Sequence, residues 1–237
     1  MSALLEVKNL GKRFQGLAAN EAISFSLNAG EIIGLIGPNG AGKTTLFNCI
    51  AGFHKPSAGS IVFEGHEVTG STPESMARLG VARTFQIVKS FASMSALENV
   101  TVGALLYEKR VALARDHAMQ SLEFCGIAHR ARLAAGNLTV AEQRRLEMAR
   151  ALAINPSLLL LDESMAGLNP AEVQDAVKLV KAIQKRGIAC LIVEHVMEAI
   201  MPIADRILVL DYGRKIADGT PLEVRSDPAV IAAYLGD

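Results

Sequence analysis

Apolar positions along the chain follow two rhythms. Short apolar or alternating runs predict strands, and longer stretches with apolar residues at helical spacing predict helices. Leu4–Leu10 and Ile23–Leu27 predict early strands, and Glu31–Ile36 a buried strand that runs straight into a glycine-rich turn. Thr44–Ala51 then has helical spacing, and Ser60–Phe63 and Val81–Phe85 are further strand candidates. From about Ser90 to Asn137 the strand pattern stops. Ala, Leu, Met and charged residues recur there at helical spacing, as in Glu108–Phe124, which predicts a helical insertion. Glu142–Ala153 is strongly helical and rich in arginine, and the consecutive leucines Leu158–Leu161 predict a strand covered on both faces. Pro170–Arg186 predicts a helix, Ile188–Glu194 and Arg206–Leu210 strands, Asp211–Arg214 a turn, and Leu222–Ser226 and Pro228–Leu235 short closing helices. Strands alternating with helices place the chain in the α/β class.

Composition narrows the functional classes. At 237 residues the chain is one large domain, or one domain with an insertion. Its formal net charge is zero, which gives no global attraction to nucleic acid. Half of the residues are hydrophobic and the mean hydropathy of +0.28 is high for a soluble monomer. The longest apolar runs, such as Ile188–Val193, fall far short of the roughly 18 residues of a membrane-spanning helix. The excess apolar surface therefore calls for partners. Met1–Phe14 carries scattered charges and lacks the apolar stretch of a signal peptide. Cys49, Cys125 and Cys190 are far apart, fit no metal spacing and read as buried thiols of a reducing, cytoplasmic compartment.

Gly37-Pro38-Asn39-Gly40-Ala41-Gly42-Lys43-Thr44 fits the phosphate-loop pattern, with a strand before it and a helix after it. Glycines let backbone N–H groups turn inward, and together with the helix N-terminus they form a nest for anionic oxygens. Lys43 is placed for the β- and γ-phosphates, the Thr44 hydroxyl for Mg²⁺, and Thr45 for a phosphate oxygen. This selects a nucleoside triphosphate without choosing among kinase, GTPase and ATPase. Asp162 and Glu163 end the leucine strand, where α/β sheets place ligands. Asp162 is a candidate Mg²⁺ ligand and Glu163 a candidate acceptor for the proton of an attacking water. His195 follows one strand and could meet the γ-phosphate. Gln86 follows another and could reach Mg²⁺ or the water, and Phe14 could stack on adenine.

In this order the parts resemble the ATP-binding cassette (ABC) ATPases, from Phe14 to the C-terminus. The resemblance implies a P-loop fold with a mixed sheet core, an antiparallel β subdomain and a helical insertion. The core would span 1–89 and 154–237, and a helical subdomain, 90–153, would carry the signature segment. Gln86 matches the glutamine loop facing the membrane subunit, Ala166-Gly167-Leu168-Asn169 the D-loop, and His195 the switch histidine. The resemblance also implies that ATP and Mg²⁺ are bound between two cassettes arranged head to tail. The signature of one cassette covers the γ-phosphate on the other. Here that signature is Leu138-Thr139-Val140-Ala141-Glu142, in which Val140 and Ala141 replace two glycines and Glu142 a glutamine. Thr139 keeps a hydroxyl and Ala141 an N–H for the phosphate. An alanine at positive φ would carry a steric penalty, so a weakened signature, and hydrolysis that depends on a partner with a better one, is the expectation. Ser164 stands in place of a proline, and Val196 in place of an aspartate.

Arg83-Thr84-Phe85-Gln86, the run Phe91–Val100, Gln143-Arg144-Arg145-Leu146-Glu147, Ala166–Pro170 and the ending Ala233-Tyr234-Leu235-Gly236 resemble the larger-type ATPase of branched-chain amino acid importers. The implied partners are permease transmembrane subunits, a second ATPase subunit (homologous or identical) and, indirectly, a periplasmic binding protein. The implied place is peripheral, on the cytoplasmic face of the inner membrane, with a short permease helix received near Gln86 and the segment Ile87–Asn99. The ATPases of lipopolysaccharide export and of urea or short-amide import are the alternatives. A non-transport ABC ATPase is disfavoured by the absence of a long coiled-coil insertion or a second cassette.

Overall fold

The computed structural model describes residues 3–84 and 90–235. Strands β1 (Leu5–Phe14) and β2 (Leu17–Leu27) form a hairpin, followed by β3 (Ile32–Ile36) and helix α1 (Lys43–Ile50). Next come β4 (Ala58–Phe63), β5 (His66–Glu67), α2 (Pro73–Arg78) and β6 (Val81–Arg83). Helices α3 (Ala96–Ala104), α4 (Val111–Phe124) and α5 (Val140–Leu152) then pack on one another. The chain returns through β7 (Leu158–Asp162), α6 (Pro170–Lys185), β8 (Ala189–Val193), α7 (Met197–Ile200), β9 (Arg206–Asp211) and β10 (Arg214–Gly219). It closes with α8 (Pro221–Ser226) and α9 (Pro228–Leu235).

Two sheets result. An antiparallel one has the order β2-β1-β4-β5, and a mixed one the order β10-β9-β3-β8-β7-β6. Within the second, β9, β3, β8, β7 and β6 run parallel, and β10 is the antiparallel edge. The leucine run of β7 shows why this sheet is central. Successive strand side chains point to opposite faces. Leu159 and Leu161 pack toward the helices α3–α6, and Leu158 and Leu160 toward α1 and the antiparallel sheet. All four are completely buried, at roughly 1.5–3 kcal/mol each. Helix α1 is filled in on one side by Leu46, Phe47 and Ile50, all inaccessible to solvent or nearly so. The three cysteines are free and buried.

The strands extend beyond the expected bounds in places. β1 runs on to Phe14 and β2 starts at Leu17. Their pairing carries register shifts, and such irregularities break the alternation by which a strand is recognised. β6 stops at Arg83, short of the expected Phe85, which lies with Gln86 outside the described residues. α4 begins at Val111, not Glu108, and α2, α7 and β10 were not anticipated.

Parallel pairing brings the carboxyl ends of β3, β6, β7 and β8 to one edge. Asp162 lies in register with Val193, two residues before His195. The turn after β3 starts at Gly37, whose φ is 147°; a Cβ there would sit 2.1 Å from the carbonyl oxygen of Leu210 on β9. Behind the edge, the Glu194 carboxylate is 1% exposed and accepts the Met165 N–H at 2.8 Å, joining the exit of β8 to the turn after β7. Burial pushes this carboxyl above its ordinary range, against the pull of backbone N–H donors from Met165 and His195.

Two outcomes test this frame. Gly37→Ala should destabilise the fold by more than ~1 kcal/mol in thermal unfolding, since neither the φ nor the space admits a methyl group. Glu194→Ala should cost about 1–3 kcal/mol in urea unfolding, because it leaves the buried Met165 N–H without its acceptor. A raised native pKa adds stability below the unfolded carboxylate range that is lost as pH rises through the raised value. The gap between wild type and Glu194→Ala should therefore be widest in acid and narrow as pH rises.

Candidate nucleotide-binding site

The phosphate loop is shaped by its glycines. Gly42, the N-cap of α1, has φ 94°, and a Cβ there would meet the Ala19 carbonyl at 2.4 Å. The Asn20 amide donates to the Gly42 carbonyl at 3.1 Å and pins the turn to β2. Asn39 and Gly40 are exposed, and Ala41 is buried beneath them. Lys43 lies 6% exposed and donates to the carbonyls of Gly37 (2.7 Å) and Pro38 (2.9 Å), so its ammonium is parked across the loop. Burial pulls its pKa below the ordinary lysine value, opposed by the Glu163 and Asp162 carboxylates. The first-turn N–H groups of α1, at Lys43, Thr44 and Thr45, have no partner one turn back within the helix and face an anion site.

Asp162 is held at two points by the end of β6. Arg83 donates to its Oδ2 at 2.8 Å, and the Thr84 hydroxyl accepts its backbone N–H at 3.3 Å. Arg83 also donates to Asn48 Oδ1 of α1 at 2.6 Å. Beside Asp162, Glu163 has φ 48°, a left-handed conformation that is strained for a non-glycine residue. Its N–H donates to the Val193 carbonyl at 2.9 Å, and its Oε1 lies 2.9 Å from His195 Nε2. Thus Lys43, Thr44, Thr45, Asp162, Glu163 and His195 come from three neighbouring strand ends.

Phe14 stands at the end of β1, 41% exposed, with the Lys12 ammonium 4.8 Å from the centre of its ring and the His54 ring edge-on at 5.3 Å. Thr139 and Ala141 belong to a separate place. Thr139 caps α5: its Oγ1 accepts the Glu142 N–H, and its own N–H donates to Glu142 Oε2 at 2.9 Å. Arg130 pairs with Glu142 Oε1 at 2.7 Å. Ala141 lines a small cleft with Thr84, Ser164 and Leu168, not with the phosphate loop. Val140 and Ala141 occupy the first turn of α5, and neither has a positive φ. The steric penalty expected of this altered signature therefore does not arise.

An open groove of about 380 Å³ lies beside the site, lined among others by Phe53, Arg83, Phe91, Val102 and Arg150. Sequence reasoning gave no role to Arg83, Thr84 or Glu194. A cation ending an otherwise apolar strand was the available signal for Arg83, but its partners are 35 and 79 residues away.

Residues 20–166 match the ABC transporter family, and residues 214–237 the branched-chain amino acid ATP-binding cassette transporter family. The chain is 41% identical to the high-affinity branched-chain amino acid transport ATP-binding protein LivG of Salmonella typhimurium, over 99% of this chain and 98% of that protein. It is 38% identical to BraF of Pseudomonas aeruginosa, a protein of the same description, over the same shares. The solved structure of an ATP-binding cassette of an ABC transporter in its ADP conformation superposes with a TM-score of 0.91 at 32% identity, covering all of both chains. A nucleotide-free ATP-binding cassette from an ABC transporter superposes equally well. The phosphate loop, the carboxylates at the end of β7 and the full-length likeness agree: the chain belongs to the ABC transporter ATP-binding cassette family, whose members bind and hydrolyse ATP.

Proposed function

We propose that this ATPase powers a membrane importer for branched-chain amino acids. The observation that carries the reading is the likeness to LivG and BraF over nearly the whole chain, down to the C-terminal segment 214–237. No helix among the described residues is long and apolar enough to cross a membrane. By its likeness to those importer ATPases, the cassette would act from the cytoplasmic face of the membrane, bound to permease subunits, with a periplasmic binding protein delivering solute to them. The groove beside Phe53 and Phe91 suits a short permease helix: both rings are about half exposed, more than a monomer has reason to leave open.

The chemistry follows from the residues. ATP phosphates would lie on the N–H groups of residues 39–45, and Lys43 would leave the loop carbonyls for the β- and γ-oxygens. Stacking on the open face of Phe14 would hold adenine. Thr44 and Asp162 suit Mg²⁺, a hard cation that takes hydroxyl and carboxylate oxygens together with substrate phosphates. The Asp162 geometry fits, since Arg83 engages Oδ2 and no described residue engages Oδ1. Bound there, Mg²⁺ would supply charge neutralisation on the phosphate oxygens. Glu163 orients the attacking water and accepts its proton, after parting from His195, which turns to the γ-phosphate. Gln86 would contribute to the water and Mg²⁺. The cleft that Ala141 lines does not include its own phosphate loop, so the phosphate met by Thr139 and Ala141 would be the one on a second ATPase subunit.

Glu163→Gln should keep ATP affinity within a few-fold and lower turnover by at least about a hundredfold. Near-normal turnover would remove Glu163 from the base role. Lys43→Ala should lose nucleotide affinity in an equilibrium titration. Co-purified with its permease subunits and supplied with the binding protein, the chain should show ATPase stimulated by leucine, isoleucine or valine. Stimulation by urea or short amides instead would overturn the solute assignment, and failure to bind any permease would overturn the transporter reading.

A further inference from the structure

Arg83 touches both the nucleotide site and the groove. Its side chain is 10% exposed, and that of its partner Asp162 6%. One terminal nitrogen donates to Asp162 and the other to Asn48, so the planar fork is fixed between the end of β7 and the last turn of α1. The guanidinium carbon lies 5.8 Å from the centre of the buried Phe47 ring on the core side and 5.1 Å from that of Phe53. Phe53 is 47% exposed and lines the groove together with Arg83. Across the groove, Arg150 lies 5.9 Å from the centre of the Phe91 ring, which is 49% exposed. An apolar helix seated in the groove would press on Phe53, and Phe53 bears on the group that orients Asp162.

We propose that Arg83 is the positioning residue that links occupancy of the groove by a permease helix to the orientation of the Asp162 carboxylate. This rests on the reading of the chain as a permease-bound ATPase, and adds to it a residue that carries the coupling. An arginine suits the task because its rigid fork meets two acceptors at once. Lysine has one nitrogen on a flexible stem, so it keeps the charge but not the bridge. Coupling between the two sites is reciprocal, so a permease that reorients Asp162 must alter nucleotide affinity, and nucleotide must alter permease affinity by the same factor.

The test compares Mg²⁺-dependent binding of a fluorescent, non-hydrolysable ATP analogue to the chain alone and to the complex with its permease subunits in detergent. For the wild type the two dissociation constants should differ by at least about fivefold. In Arg83→Gln the ratio should collapse toward one. Arg83→Lys should recover the melting temperature but not the ratio, a split that a purely structural role would not produce. If Arg83→Gln does not fold, Arg83→Lys and Asn48→Ala carry the test, the latter removing one acceptor of the fork. A wild-type ratio retained in a folded, assembled Arg83 variant overturns the proposal, as does a wild-type complex with a ratio of one. A chain that assembles with no permease overturns the transporter reading instead, and the coupling role with it.

Discussion

A carboxylate at the end of a fully buried strand must be met by a counter-charge or pushed out of its ionised form. Asp162 is such a group, and Arg83 meets it at 2.8 Å. Much of the site depends on this ion pair. Arg83 reaches it by pairing with Asn48, which ties the helix after the phosphate loop to the strand that carries the carboxylates. Thr84 fixes the backbone of the same aspartate. Breaking a buried pair from one side typically costs about 3–5 kcal/mol, because it strands the other charge. The pair is thus a constraint on the fold as much as a feature of the site.

The parts that were legible in the sequence are those encoded by adjacent residues. The phosphate loop is contiguous, its glycines are demanded by backbone geometry at Gly37 and Gly42, and the run Leu158–Leu161 matches a strand with a hydrophobic layer on each face. Phe14 as the last residue of a ten-residue strand was not legible, because irregular pairing between β1 and β2 interrupts the alternation. Helix α7 has four residues, too few to show a period, and α2 buries a single side chain, Met76. The polar edge strand β10 has no apolar rhythm. The roles of Arg83 and Glu194 come from partners distant in sequence, which local patterns do not encode. The altered signature looked strained on paper and is an ordinary capped helix start, with Glu142 completing the cap and Arg130 balancing its charge.

The high mean hydropathy also acquires a location. The interior takes most of it, in two clusters on either side of the mixed sheet. Part of the remainder stays at the groove, where Phe53, Phe91 and Val102 are all more than two-fifths exposed. Aromatic and aliphatic side chains gathered at the rim of an open cleft suit a surface that is covered in an assembly. The same rim holds the arginine that grips the site carboxylate, so recognition and chemistry share a wall.

Asp162, as Arg83 and Thr84 hold it, is the group on which Mg²⁺ would join the nucleotide. Equilibrium titration of ATP with Mg²⁺ and with EDTA, on the hydrolysis-impaired Glu163→Gln chain with and without Asp162→Asn, tests it most directly. Binding should be tighter with Mg²⁺ in the presence of Asp162, and Asp162→Asn should lose that preference with metal-free affinity preserved. An undiminished preference for Mg²⁺ in Asp162→Asn would contradict it.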